Sequence, residues 1–487
     1  MGIEIKELEP KNVWSYFYDF TQQPRPSKKE EKIIAYLEKT FKELGFEYKK
    51  DEVGNLAVKK PATPGMENRK SFCIQAHIDM VCEKYKELDF DFDNDPIETE
   101  IVDGWVKAKG TTLGADNGMG AAMGLALLAS TDIPHPAYEL LFTVDEETGM
   151  TGVLELKEDF IDSEILINLD TEDDHVFSIG CAGGISTVGK YKYEAENVPS
   201  GYSFYNVGIQ GLLGGHSGVQ INEERANAAK LLTRFLLKAS ENFGIRLSSI
   251  NSGSKHNAIP RDANAIVAVS SNEEGKFLDY LKEFDGIIKS EYQMNEPDVN
   301  AYATKTDAPD RVMSKENQRR ILLSFTAIHH GIARWSTAIE GLVQTSTNFA
   351  IVETKEDYIE VLTSQRSSIH TEKMQMASTV GAAMELGGAD VSYGDGYPSW
   401  EPNMDSPIVK TASEMHEELF GSKPVLEVIH AGLECGLIGA KYPKMDMLSF
   451  GPTIKEAHTP EEKIKIDTVQ NSWDLLLKIL ANMPEKS

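Results

Sequence analysis

Two hydrophobic periodicities alternate along the first part of the chain. Helical spacing predicts a helix from Pro10 to Gln22 and another opening at Ser27, where Ser27 and Glu30 have capping-box spacing and Gly45 supplies the stop. Period two then takes over. Phe46 to Lys50 and Asn55 to Lys59 alternate about Val53-Gly54-Asn55 as a hairpin, Phe72 to Ala76 is a short apolar strand, and Asp103-Gly104 closes a second hairpin. A glycine-rich turn, Gly110 to Gly120, feeds an apolar helix to Ala129, and such turns let backbone approach a bound ion or ligand. Tyr138 to Val144 and Ile165 to Asp170 read as covered strands with a helix near Thr151 to Lys157 between them. Strands alternating with helices predict an α/β fold, a mixed sheet flanked by helices.

The texture changes near Cys181-Ala182-Gly183-Gly184. From Lys190 to Tyr393, amphipathic helices (Asn222 to Lys238, Glu273 to Tyr292, Thr371 to Leu386) accompany two-faced strands (Asn348 to Glu353, Tyr358 to Leu362), the pattern of an α+β domain. Two similar halves are conceivable there, but no clean repeat is visible. After Gly394 to Pro398 the first texture returns, with helices at Asp405 to Phe420 and Ile466 to Asn482. A chain of 487 residues exceeds one ordinary domain. The expected division is a discontinuous α/β domain, 1–187 plus 396–487, interrupted by an inserted α+β domain, 188–395.

Charge narrows the partners. Against 49 Lys and Arg stand 77 Asp and Glu, a net −28, which repels nucleic acid and anionic membrane surfaces. No apolar run reaches the roughly 18 residues of a membrane span, and the start carries no signal-peptide pattern. Cys73, Cys82, Cys181 and Cys435 have no C-x-x-C spacing, as expected of thiols in a reducing cytoplasm.

The candidate chemistry sits at strand ends. Asp145-Glu146-Glu147 follows one apolar strand, and three adjacent acids are either solvated or face cations. His77-Ile78-Asp79 ends another strand with the spacing of a metal-binding imidazole and its orienting carboxylate, or of a hydrogen-bonded surface histidine. His77 and Glu147 with Asp116, Asp170 and His458 make two histidines and three carboxylates, a donor set that fits two zinc-like ions better than calcium or magnesium. Two other matches fail on inspection. His416-Glu417-Glu418-Leu419-Phe420 lacks the second histidine of H-E-x-x-H and reads as an exposed helix face. Asp89 to Asp95 imitates a calcium loop but has Asn94 at the glycine position, followed by Pro96.

Several blocks together resemble the aminoacylhistidine (Xaa-His) dipeptidases, dinuclear-zinc metallopeptidases related to carboxypeptidase G and the aminoacylases. They are His77 to Val81, Gly110 to Gly118, Asp145 to Gly149 and Leu213-Gly214-Gly215-His216-Ser217-Gly218, followed by Lys255 to Pro260, Gln365 to Ser368 and His430 to Gly436. The resemblance runs the full length in order. It implies that Asp116 bridges two metal ions, with His77 and Asp170 completing one site and Glu147 and His458 the other. Zinc is the expected metal, with cobalt or manganese as alternatives. It further implies that Asp79 orients His77, Glu146 is general base to a water shared by the metals, and His216 stabilises the oxyanion. Arg366 would hold the substrate carboxylate, Asn257 would assist near the carbonyl and Glu434 would pair with a free amine. The activity the resemblance implies is hydrolysis of dipeptides with a free amino terminus, carnosine-like Xaa-His dipeptides included. A tripeptide aminopeptidase, an N-acyl-amino-acid deacylase or a non-catalytic binding protein are the alternatives. A homodimer is compatible with the resemblance, and Asp145 and His430 are left without a role.

Overall fold

Strands Phe72–His77, Tyr138–Thr143 and Ile165–Asn168 are buried at every position, as strands covered on both faces must be. The structure, a computed structural model, describes residues 2–486. These strands lie inside an eight-stranded mixed sheet whose order is Tyr48–Lys50, Leu56–Lys60, Tyr138–Thr143, Phe72–His77, Ile165–Asn168, Asp446–Ser449, Val176–Cys181 and Val425–Ile429. Its four central members are parallel. The helix Ala115–Ala129 lies close against them because Gly124 has no side chain: a Cβ there would come within 2.5 Å of Leu140 Cδ1. Lys60 Nζ closes that helix by donating to the carbonyls of Leu127, Leu128 and Ser130 at 3.2, 2.9 and 2.6 Å, where unpaired carbonyls and the negative end of the dipole favour a cation.

The chain forms two compact units. One comprises the residues up to Gly180, Pro402–Val428 and everything from Leu433 onward; the other is Cys181–Glu401 with Ile429–Gly432. The boundaries expected from sequence texture, 187/188 and 395/396, are displaced. Strand Gly183–Lys192 is an inner member of the insert's sheet, and bridges from Gly184 to Tyr397 and from Cys181 to Trp400 hold both ends of the insert together.

The insert's large sheet has an internal order that its sequence conceals. Strands Tyr202–Gln210, Arg246–Ser252, Ala263–Ser270 and Asn300–Lys305, with helices Ala228–Phe243 and Glu274–Glu291, make a βαββαβ unit in which the first strand lies between the third and the fourth. Strands Gly183–Lys192, Val343–Thr354, Tyr358–Ser367 and Asp390–Tyr393, with helices Lys315–Ala327 and His370–Leu386, repeat that arrangement. One copy is inserted after the first strand of the other, and their second strands meet at Ser252 and Val352. All four helices contribute to one apolar core, through Phe235, Phe284, Phe325 and Met384 among others.

Two local expectations yield to tertiary contacts. Helix Glu31–Glu43 starts after Ser27 and has no side-chain cap; Ser27 Oγ instead donates to Asp79 Oδ2 at 2.7 Å. His416 is wholly buried rather than exposed, with Nδ1 2.7 Å from the Ser422 carbonyl and Nε2 2.9 Å from His175 Nδ1. Leu140→Ala removes a fully buried side chain between sheet and helix and is predicted to destabilise this unit by about 2–5 kcal/mol. Urea denaturation followed by the near-ultraviolet signal checks this.

Candidate metal centre

The four parallel strands point their carboxyl ends toward one edge, where open α/β sheets collect ligand-binding groups. In sheet order, Glu146 and Glu147 follow Tyr138–Thr143, His77 ends Phe72–His77, Asp170 follows Ile165–Asn168, and the loop after Asp446–Ser449 carries His458. Asp116 comes from the first turn of helix Ala115–Ala129, where the Asp116–Asn117 peptide is cis. Sequence-distant residues therefore meet because neighbouring strands end together.

Asp116 stands at the centre of this group. Its Oδ1 lies 3.1 Å from His77 Nε2 and its Oδ2 lies 3.2 Å from His458 Nε2. Asp170 Oδ1 is 3.6 Å from the same His77 nitrogen, and Glu147 Oε2 is 3.0 Å from that of His458. Among the described residues three donor groups result: His77/Asp116/Asp170 and Asp116/Glu147/His458, which share the Asp116 carboxylate, and His77/Glu146/Glu147. A tetrahedral ion with bonds of about 2.0–2.1 Å separates neighbouring donors by roughly 3.3 Å, so these spacings suit ligands of a small cation.

The electrostatics express the same demand. Burial pushes the Glu146 and Asp170 carboxyls well above their ordinary range; His77 opposes the shift, while Glu434 and Glu147 add to it for both. Glu172, beside them, is pushed up to about 8 by burial and Asp116. Hydrogen bonds to Asp116 and Glu147 raise His458 to about 11. Glu147 Oε1 is buried with no hydrogen-bond partner. Acids packed this closely must bind cations or protons, and imidazole with carboxylate oxygens fits zinc-like ions.

Around the cluster, Asp79 is completely buried and tied on several sides. Its Oδ1 faces His77 Nδ1 at 3.3 Å and accepts the Glu146 N–H at 3.1 Å, while Oδ2 accepts from the Glu147 N–H at 3.2 Å and from Ser27. Despite burial, His77 and these donors lower it to about 2. Asp145, which had no role in the sequence, is the pin of the acidic turn. It adopts φ 52°, its N–H donates to Glu30 Oε1 at 3.0 Å, and its carboxylate accepts the Thr148 and Thr151 hydroxyls. Glu434, also buried here, accepts from Gln75 Nε2 at 2.5 Å and Thr143 Oγ1 at 2.9 Å through Oε2, leaving Oε1 without a partner. Burial raises it to about 7.

The insert holds the remaining candidates. His216, on a two-residue strand paired with Ala258–Ile259, accepts the Gly218 and Val219 N–H groups at Nδ1 (3.2 and 3.1 Å). Nδ1 is therefore the bare nitrogen and Nε2 carries the proton. Burial, with Arg366 and His256, lowers His216 to about 4, so it is a neutral N–H donor. Asn257 receives the Ser217 N–H on its carbonyl at 2.8 Å. Arg366 is buried and donates from Nη1 to Tyr397 Oη at 2.7 Å, with Nε unpartnered. His430 places Nε2 2.7 Å from Ser346 Oγ and is lowered to about 3 by burial and Arg366.

Two buried residues at the centre escaped the sequence reading. The Glu462 carboxylate accepts from consecutive backbone N–H groups of Leu113 to Asp116. Arg25, between Pro24 and Pro26, donates to the carbonyls of Ile78, Asp79 and Gly114. The glycine-rich turn thus encloses an internal carboxylate rather than a ligand. Only the need of consecutive N–H groups for an acceptor hints at this in the sequence. The acidic loop 89–95 is closed by its own bonds to Asp91 and by Lys29 on Asp93.

Comparison with known proteins adds three findings. Residues 73–482 match the family model "Peptidase family M20/M25/M40". The cytosol non-specific dipeptidase of Escherichia coli (strain K12) is 37% identical over 483 residues, covering 99% of this chain and all of the relative. The crystal structure of an aminoacylhistidine dipeptidase from Vibrio alginolyticus superposes with a TM-score of 0.92 at 41% identity, covering 99% of each chain. A Staphylococcus aureus tripeptidase (TM-score 0.57, 14% identity, 98% of this chain and 99% of that one) shares the fold.

Asp79→Ala is expected to weaken zinc binding by roughly 10–100-fold, the usual cost of losing the partner of a ligating histidine. Chelator competition on the purified protein measures it.

Proposed function

This chain belongs to peptidase family M20/M25/M40, and from that premise we propose that it is a metal-dependent dipeptidase acting on substrates with a free amino terminus, Xaa-His dipeptides included. The observation that carries the reading is Asp116, with one carboxylate oxygen turned to His77 and the other to His458. His77 and Asp170 would hold one divalent ion and Glu147 and His458 a second, with Asp116 shared and zinc favoured by the donor set. When bound, such a pair acidifies water and polarises the scissile carbonyl.

The chain's own groups divide the remaining work. Glu146 is half-buried within reach of His77 and Glu147, and its raised affinity for protons suits a base that takes a proton from water and returns it to the leaving amine. Asp79 fixes the His77 ring and the backbone of Glu146 and Glu147. Glu434 Oε1, buried and unpaired, suits a substrate ammonium, which supports a free amino terminus. In the insert, for which we propose the part of a lid, His216 Nε2–H suits an oxyanion. Arg366 there suits a terminal carboxylate, and Asn257, beside the His216 turn, a polar contact near the carbonyl. The dipeptidase names of the E. coli and V. alginolyticus relatives agree with this reading, and the former's cytosolic label agrees with a cytoplasmic setting. Among the described residues, no helix is long and apolar enough to cross a membrane.

Glu146→Gln should retain its metal, measured by elemental analysis, while kcat on a dipeptide falls about 100-fold or more. Unchanged turnover would remove Glu146 from the chemistry. N-acetylation of the dipeptide should abolish cleavage; equal rates on both forms would favour an N-acyl-amino-acid deacylase instead.

A further inference from the structure

Most buried carboxylates in this chain answer to one or two donors, but Glu462 answers to a whole turn of backbone. Its Oε2 accepts the N–H groups of Leu113 and Gly114 at 2.7 and 2.9 Å, and its Oε1 those of Ala115 and Asp116 at 2.7 and 3.3 Å. Successive N–H groups converging in this way form a concave anion site, made possible by Gly114 at φ 70°. The occupant is supplied by the chain itself and is 2% exposed. From the other side Arg25, equally buried, donates from Nη1 to the carbonyls of Ile78 (3.1 Å) and Asp79 (2.7 Å) and from Nη2 to that of Gly114. The two side chains therefore grip the turn from its N–H and C=O sides, and Arg25 also grips the segment just after His77.

Position in the chain gives this grip a consequence. Glu462 lies in the loop that carries His458, and the turn it holds ends at Asp116, the carboxylate between His458 and His77. Arg25 joins the same turn to His77-Ile78-Asp79. Residues from all three segments that contribute to Asp116, His77 and His458 are thereby fixed to one another by bonds that involve no metal. We propose that Glu462 and Arg25 are positioning residues that hold Asp116 in its bridging place in the metal-free protein, so that both ions enter a preformed site. This rests on the reading of Asp116 as the shared ligand. With its turn anchored to Glu462 through four N–H groups, Asp116 resists the displacement that crowding by Asp170 would otherwise drive. The charge of Arg25 offsets that of Glu462 where neither meets water.

The test uses the full chain stripped of metal and zinc alone as probe. Glu462→Gln keeps the shape but turns an NH2 toward two of the four N–H groups. Its zinc affinity, measured by chelator competition at a temperature where circular dichroism shows it folded, should fall roughly 10–100-fold, as for other partners of metal ligands. Glu296→Gln is the control. That carboxylate is just as buried and accepts the N–H groups of Leu213 and Ala226 in the insert, so its loss should lower the melting temperature and leave zinc affinity at the wild-type value. A Glu462→Gln protein that melts earlier but binds zinc like wild type would reduce Glu462 to a purely structural group and overturn the proposal.

Amide hydrogen exchange on metal-free wild type decides the matter even if that variant does not fold. Leu113 to Asp116 should already be protected before zinc is added; exchange at free-peptide rates, with protection only after zinc, would overturn it. Asp116→Asn separates the two levels of inference. If it still binds two zinc ions at wild-type affinity, the bridging reading fails. If it loses them while Glu462→Gln does not, only the clamp fails.

Discussion

Buried negative charge is the constraint on which the rest of this structure depends. Asp116, Glu146, Glu147, Asp170 and Glu434 converge around His77, and burial, reinforced by the neighbouring acids, pulls Glu146 and Asp170 well above the ordinary carboxyl range. A fold brings such groups together only when strong packing elsewhere offsets the cost. Here the offset comes from parallel strands buried along their entire length and from a helix seated against them at Gly124. Function lies in the site, and stability in the sheet beneath it.

Organisation around the site follows from that tension. Three acids near the centre have partners fixing their direction: Asp79 receives two backbone N–H groups and Ser27, Asp145 receives two threonine hydroxyls, and Glu462 receives a turn. Left-handed backbone gathers in the same places, at Asp145, Gly114, Glu456 and His458. Strain of this kind persists where surrounding structure over-determines the conformation. Adjacent Glu146 and Glu147 can take separate tasks because the turn that carries them is held rigidly through its N–H groups.

Much of this was legible in the sequence because strand ends are legible. Short continuous apolar runs stopping at His77, Asp145 and Asp170 announced both the sheet and the edge where polar groups collect. Partners chosen by tertiary contact were not legible. Ser27 has the spacing of a helix cap, yet its hydroxyl serves Asp79, since a buried carboxylate gains more from that bond than an exposed helix end does. Glu462 sits in a run of exposed-looking polar residues, and Arg25 lies between prolines, with no periodicity to mark either as buried. His416 belongs to a motif that fails as a metal site, and the failed motif hid a core histidine paired with His175. The insert's doubled βαββαβ plan shows in the sequence as two similar halves without a clean repeat, because one copy interrupts the other.

Two cations astride Asp116 are the central claim. Anomalous diffraction at the zinc edge from crystals of the zinc-loaded protein tests it directly. Two peaks about 3.5–4 Å apart are predicted, one on the His77 and Asp170 side of Asp116 and one on the Glu147 and His458 side. A single peak, or peaks that leave Asp116 out, would contradict it.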